Sequence, residues 1–242
     1  PLALLSTQIT GINELFALID NQDIETDITQ IIPEQSIVKN EKAIIKIQNL
    51  YFKYLPNTYS YSLSNISFKV TSGEFIGITG PSGSGKSTLI KLLLNLYPGK
   101  YKGTIEIFNE ACVSYVPQES MLFSLSIKDN VMFGAPNLSN EKLAEIIKIT
   151  AIEDIISQYG LDSPLDNKAS TLSGGQKQQV ALARALAVNP EILICDEATS
   201  AMDFNLERKI LHNLQNYMTH KTIIFVAHRL NSIKDADKII VM

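Results

Sequence analysis

Eight consecutive residues, Gly80-Pro81-Ser82-Gly83-Ser84-Gly85-Lys86-Ser87, fit the pattern G-x-x-x-x-G-K-[ST] at every fixed position. The chemistry this spacing serves is phosphate binding. Gly80, Gly83 and Gly85 admit backbone dihedrals closed to residues with a Cβ, so successive N–H groups can turn toward one anion. A helix starting near Lys86 aims the positive end of its dipole at the same point. Lys86 adds a full charge toward β- and γ-phosphates, and Ser87, followed by Thr88, places a hydroxyl where Mg²⁺ would be held.

Three further stretches carry groups suited to the same chemistry. Asp196-Glu197 closes the apolar run Ile192-Leu193-Ile194-Cys195. A carboxylate at a strand tip is the Walker B arrangement, holding Mg²⁺ commonly through water. Glu197, one residue further on, is the candidate general base that polarises an attacking water. Without the phosphate loop, the pair would read as two ordinary acidic residues at a strand end. Ser173-Gly174-Gly175-Gln176 stands at a helix start, where open N–H groups form a second anion site; S-x-x-Q is equally a capping box. His228 follows the apolar run Thr222–Val226, in the position of a group that steadies the site.

The elements that must position these groups are legible from periodicity. Phe75–Ile78 reads as a buried strand feeding the phosphate loop, and Thr88–Leu96 as the helix leaving it. Ile45, Ile47 and Phe52 suggest an irregular strand, and Ser64–Val70 alternates as a second. Thr104–Phe108 and Val113–Val116 read as short strands. Ser126–Ser157 is mostly helical, broken around Gly134-Ala135-Pro136, with Asn140 as N-cap of a helix over Glu141–Thr150. Gly160–Ala169 is irregular. A helix follows Ser173 to Val188, and Glu207–Tyr217 is another. Thr222–Val226 and Lys238–Met242 are further strands. Strands alternating with helices around apolar runs predict an α/β fold with a mainly parallel sheet covered on both faces. In such sheets ligands bind at the carboxyl ends of the strands, so one site can gather Lys86, Asp196, Glu197 and His228.

The 242 residues, 45% hydrophobic and 19% charged, suffice for one large domain or two small ones and exclude a disordered chain. A net charge of −4 argues against a nucleic-acid surface. Cys112 and Cys195 lie far apart, each in an apolar run, and read as small buried hydrophobes of a reducing compartment. No segment is apolar for long enough to span a bilayer. Leu2–Asp20 carries a helical apolar stripe, read either as a helix packed on the domain or as the tail of a preceding membrane helix. Residues 21–42 are polar, contain Pro33, and read as a linker, so the globular domain is expected from Ala43. A first residue that is not methionine suggests a chain cut from something longer.

Leu172-Ser173-Gly174-Gly175-Gln176, with the phosphate loop, Tyr115-Val116-Pro117-Gln118, Ile194–Glu197, Ser200–Asp203 and Ala227–Leu230, resembles the ATP-binding cassette (ABC) ATPases in order and spacing from Ala43 to Met242. The resemblance implies a P-loop NTPase core, an antiparallel β subdomain and a helical subdomain over about residues 119–185 that carries the LSGGQ signature. It implies MgATP hydrolysis. Tyr54 matches the aromatic that stacks on adenine, with Tyr59 and Tyr61 nearby, and a stacked tyrosine suits either purine. Gln118 matches the glutamine that reaches metal and attacking water, Asp203 the acidic residue of a dimer-contact loop, and His228 the switch histidine. Two cassettes would face each other as an ATP-dependent homodimer. Ser173, Gly174, Gly175 and Gln176 would then act on the partner's nucleotide. Asp129–Gly134 and Leu15–Asp20 resemble cassettes fused behind a membrane domain in bacterial peptide, bacteriocin and toxin exporters. That implies an N-terminally fused transmembrane domain, a location at the cytoplasmic face of the cell membrane, an exported substrate of peptide type, and a further C-terminal portion. The departures are a short Gly103–Tyr115 segment, no acidic-glycine run before LSGGQ, and Met202 in place of leucine. The alternatives are a non-transport cassette ATPase, a separate importer subunit, and a small-molecule kinase, which would not need LSGGQ.

Overall fold

The computed structural model describes residues 30–31, 43–55, 60–108, 111–165 and 172–242. The helical stripe expected over Leu2–Asp20, and all of the expected linker except Gln30–Ile31, lie outside the described residues.

Two sheets divide the described strands. The larger has the order β1 (Gln30–Ile31), β9 (Lys238–Val241), β4 (Phe75–Thr79), β8 (Thr222–Val226), β7 (Ile192–Asp196), β6 (Val113–Val116). Every pair from β9 to β6 is parallel. Only β1 runs antiparallel, pairing Gln30 with Ile240, so the sheet takes an edge strand from the stretch expected to be linker. The smaller sheet is antiparallel, with β2 (Ala43–Phe52) between β3 (Leu63–Thr71) and β5 (Tyr101–Ile107). The expected irregularity in β2 is a register shift around Asn49, which has φ +47° and whose N–H donates to the Ser67 hydroxyl at 2.8 Å.

β4, β7 and β8 are buried at every residue, which is why they read as unbroken apolar runs. Side chains alternate across the sheet. Ile192, Ile194, Ile224 and Val226 pack on one side with helix α1 (Lys86–Leu93) and the small sheet. Leu193, Cys195, Ile223 and Phe225 pack on the other with the remaining helices. Those are α2 (Ile127–Met132), α3 (Asn140–Thr150), α4 (Glu153–Tyr159), α5 (Gly174–Ala187) and α6 (Phe204–Tyr217), followed by a 3₁₀ turn at Leu230–Ser232.

Local signals explain most boundaries, and a few expectations need correction. The cap of α3 is Ser139, not Asn140. Ser139 has extended backbone and its hydroxyl accepts the Lys142 N–H at 3.2 Å, which leaves Asn140 as the first helical residue. α6 begins at Phe204 rather than Glu207 because Asp203 caps it, accepting from the N–H groups of Asn205 and Leu206. β5 begins three residues before the expected Thr104. Cys195 is buried as expected, but Cys112 is exposed, since it lies one residue before β6 and outside the covered sheet.

α5 is tied to the loop before α2 by a buried hub. Asn130 accepts from Phe123 N–H at 2.9 Å and from Arg184 Nη2 at 2.7 Å, and donates to Ser126 O at 2.9 Å. The hub spans residues 54 apart, so no local pattern announces it.

Gly77, at the centre of β4, shows how closely the sheet is covered: a Cβ there would lie 2.8 Å from Ile233 Cβ. Gly77→Ala should lower the unfolding free energy by about 1–3 kcal/mol through overpacking. Urea denaturation reads the loss, and Ile233→Ala in the same chain should recover part of it. An unchanged midpoint would mean that the segment carrying Ile233 moves aside without cost.

Candidate functional site

Four neighbouring parallel strands deliver groups to the same edge of the sheet. β4 runs into the phosphate loop, β8 into His228, β7 ends in Asp196 and Glu197, and β6 leads to Gln118. The register holds their ends level, with Ile78 beside Val226, Val226 beside Asp196, and Val116 beside Cys195. The resulting cleft of about 490 Å³ is lined by Tyr54, Tyr61, Ser82, Gly83, the stretch from Gly85 to Thr88, Gln118, Glu197 and His228.

The phosphate loop has the geometry its glycines predict. Gly80, Gly83 and Gly85 have φ of +148°, +85° and +101°. Gly85 also abuts the start of β3, where a Cβ would come within 2.7 Å of Ser62 O. α1 starts without a side-chain cap, leaving its first N–H groups facing the loop. Lys86 is buried, and its ammonium donates to Gly80 O at 2.8 Å and Pro81 O at 2.9 Å. Burial holds its pKa below the ordinary lysine value, and the Glu197 and Asp196 carboxylates offset part of that effect. Thr88 is buried, and its hydroxyl lies 3.1 Å from the Tyr54 hydroxyl.

Glu197 is the most constrained side chain of the site. Gln118 Nε2 donates to its Oε2 at 2.7 Å, and His228 Nε2 lies 2.8 Å from its Oε1. Its backbone is left-handed, with φ +52°. A non-glycine residue in that conformation costs about 1–3 kcal/mol and persists where its surroundings over-determine it.

Asp196 is buried, and its pKa is raised, first by that burial and then by the neighbouring Glu197 charge; hydrogen bonds from Tyr115 and Ser87 and the Lys86 charge act the other way. Tyr115 Oη donates to Asp196 Oδ2 at 3.4 Å, and burial together with that carboxylate pushes the phenol up to about 12. Asp196 Oδ1 and Ser84 Oγ are buried without a hydrogen-bond partner. Orphaned oxygens beside a phosphate loop fit a phosphate-bound cation, because Mg²⁺ takes one or two carboxylates and completes its shell with phosphate oxygens and water. Gln118 uses Nε2 on Glu197, so Oε1 is the atom open to such a cation.

Of the aromatic candidates, Tyr54 and Tyr61 both line the cleft, 46% and 42% exposed. Tyr59 lies outside the described residues. Tyr54 packs edge-on against Phe52 and Tyr97, at 4.9 and 5.6 Å between centroids, which steadies its ring at the mouth.

Ser173, Gly174, Gly175 and Gln176 are not brought to this cleft. The capping box forms: Gln176 N–H donates to Ser173 Oγ at 3.2 Å, and Ser173 N–H to Gln176 Oε1 at 2.8 Å. The cap and the anion site are compatible, because the N–H groups of Gly174 and Gly175 still lack an intrahelical acceptor.

Residues outside the expected set also meet here. Gln178, 3% exposed, reaches the backbone at Gln118 and Glu197. Glu207 is buried and accepts from Thr199, Ser232 and Arg229 at 2.6, 2.7 and 3.2 Å, joining the segments after β7 and β8. A signal for Gln178 did exist: with Gln179 it is one of two polar residues on the core-facing side of a mainly apolar helix. Replacing Lys86 by Ala removes the ammonium held in the loop and should reduce ATP affinity by about tenfold or more; fluorescence titration with a labelled ATP checks it, and unchanged affinity would refute the placement.

Comparison with known proteins places this geometry in context. The ABC transporter family pattern matches residues 63–200, more than half of the chain. A putative export ATP-binding/permease protein of Rickettsia bellii is 41% identical over 236 residues, covering 89% of this chain and 41% of that protein. A leukotoxin export ATP-binding protein of Aggregatibacter actinomycetemcomitans is 39% identical over 210 residues, covering 82% of this chain and 30% of that protein. The structure of a bacterial Atm1-family ABC exporter with ATP bound superposes with a TM-score of 0.76 at 35% identity, over 98% of this chain and 43% of the other. The chain thus spans less than half the length of each of these proteins. Among the described residues no helix is long and apolar enough to cross a membrane.

Proposed function

The chain belongs to the ABC transporter family, and on that premise we propose that it is the ATP-hydrolysing domain of an exporter. The observation that carries the reading is the Glu197 carboxylate, held on one oxygen by Gln118 and on the other by His228 at the edge of the phosphate-loop cleft.

In this reading Tyr54 stacks on the purine, and the N–H groups of Ser82 to Thr88 cradle the phosphates with Lys86. Ser87, Gln118 and Asp196 would hold Mg²⁺, which would supply positive charge against the phosphates. Glu197 accepts a proton from the attacking water. Gln118 and His228 fix its orientation, so that the carboxylate rather than solvent meets the water. With its proton on Nε2, His228 donates to Glu197 and turns to the γ-phosphate when that group arrives. The separation of Ser173 and Gly175 from this cleft supports a second copy of the domain supplying the signature to this nucleotide. Two N–H clusters facing one polyanion hold it better than one. ATP would then join the two copies and hydrolysis release them, a ligand-driven shift of population.

An exporter role draws support from the two relatives named for export and from an exposed apolar surface. Met121, Phe123, Leu125 and Phe133 are all exposed, and the Phe123 and Phe133 rings stack at 4.4 Å between centroids. The surface borders a cleft of about 580 Å³ beside the Gln118 segment. Apolar groups concentrated like this mark a protein contact; its occupant in this reading is the transmembrane domain, which sits N-terminal to the chain and chooses the exported substrate, of peptide or toxin type. The cassette works at the cytoplasmic face of the membrane.

Glu197→Gln should keep ATP binding and lose turnover by about 10²-fold or more. In light scattering it should shift from monomer to dimer when MgATP is added. Turnover near wild type would sink the role of Glu197, and a mass indifferent to ATP in the full-length transporter would sink the paired site. Tyr54→Leu should raise the ATP Kd by about tenfold, the order expected for one lost base–aromatic stack, while Tyr61→Leu leaves it near wild type. The reverse result would transfer the stacking role to Tyr61.

A further inference from the structure

The carboxamide of Gln178 on α5 reaches two segments of the site at once, the one at Gln118 and the one from Glu197 to Ala201. Its Nε2 lies 3.2 Å from Gln118 O, 3.2 Å from Glu197 O and 3.2 Å from Ser200 Oγ. Its Oε1 accepts the Ala201 N–H at 3.1 Å. Two of these partners are carbonyls that can only accept, and one is a backbone N–H that can only donate, so the orientation of the amide is settled by its surroundings. Gln178 is 3% exposed, so its own carboxamide is shielded from solvent.

The seat of the helix is equally close. A Cβ on Gly175 would stand 2.8 Å from Ala201 O, and one on Gly174 3.1 Å from Ala201 Cβ. The first turn of α5 therefore rests directly on the segment that follows Glu197. Gln178 is two residues beyond Gln176 on the same helix.

We propose that Gln178 is a positioning residue that holds the backbone of Gln118 and Glu197 in register with the signature end of α5. This inference rests on the ATPase reading and deepens it. An amide carries two N–H bonds, and here three acceptors compete for them. One contact is always shared, and a small displacement of α5 redistributes the bonds among Gln118, Glu197 and Ser200. The carbonyl of Glu197 also accepts the Ser200 N–H at 3.0 Å. Gln178 thereby completes the set of contacts that keeps Glu197 in its left-handed conformation and its carboxylate between Gln118 and His228. Placing an anion at the helix start and orienting the water-activating carboxylate become one mechanical unit.

Two substitutions test the role in the full chain. Gln178→Glu keeps the volume and the acceptor for Ala201 but removes both donors. Gln178→Met keeps the length without charge and serves if a buried carboxylate prevents folding. The readouts are kcat and KM for ATP, with a thermal melt on each variant. The expected result is a fall in kcat of about tenfold or more with KM for ATP within about twofold, because the lost contacts orient the reacting groups without touching nucleotide. Wild-type kcat in either folded variant overturns the proposal. So does a loss of kcat accompanied by an equal loss of affinity, or loss of the cooperative melt in both variants, since each makes Gln178 merely structural. The wild-type chain is the control that separates the two readings: no ATP turnover there fails the proposed function and takes this inference with it, whereas normal wild-type turnover matched by Gln178→Met fails the positioning role alone.

Discussion

Two carboxylates side by side at the end of a fully buried strand are the constraint around which this molecule is arranged. Asp196 and Glu197 repel, and burial raises the cost of charge on Asp196. The fold answers by surrounding them with donors rather than by neutralising them. Lys86 lies close enough for its charge to act on both, Tyr115 and Ser87 donate to Asp196, and Gln118 and His228 occupy the two oxygens of Glu197. One oxygen of Asp196 is left without a partner. Leaving a buried acceptor unpaired costs about 1–3 kcal/mol, a penalty that a phosphate-bound cation would relieve.

Parallel topology makes this convergence possible. β4, β8, β7 and β6 lie in that order with their carboxyl ends aligned, and adjacent strands are about 4.8 Å apart. Groups separated by more than a hundred residues in sequence therefore sit within a few strand widths. The same topology explains what is absent from the cleft. α5 starts beside the segment after β7, and its signature end does not line the phosphate-loop cleft. A chain that carries two anion sites apart from each other is suited to sharing a ligand with a second copy, in the reading proposed here.

Several segments after the strands are cross-braced by side chains from elsewhere. Glu207 on α6 bonds residues on both sides of it, Thr199 and Ser232, as well as Arg229. Asn130 and Arg184 secure the loop whose exposed faces are Phe123 and Leu125. Glu207 and Asn130, at the centres of these braces, are buried with their side chains hydrogen-bonded, and such networks hold one geometry because a partly satisfied alternative is costly. The site is thus set by a shell of polar side chains as much as by the strands themselves.

The sequence by itself determined the parts whose cause is local. Glycines at 80, 83 and 85 require positive φ wherever the loop is placed, and each has it. The unbroken apolar runs of β4, β7 and β8 could only be strands covered on both faces, and they are. Ser173 with Gln176 declared a capped helix start within four residues. The placement of Asp196, Glu197 and His228 at one edge of the sheet was legible because each closes or follows such a run. Where local signals competed, reading was less exact: Ser139 and Asn140 are both good caps, and only the backbone conformation at Ser139 selects one. The tertiary structure alone decided that Gln118 and His228 share Glu197, that Tyr54 meets Thr88, that Cys112 is uncovered, and that Gln178 and Glu207 are buried among functional segments. Those contacts join residues as far as 79 positions apart. Their formation depends on which strands neighbour one another and in what register, and that order arises from packing the whole chain, which no window of sequence contains.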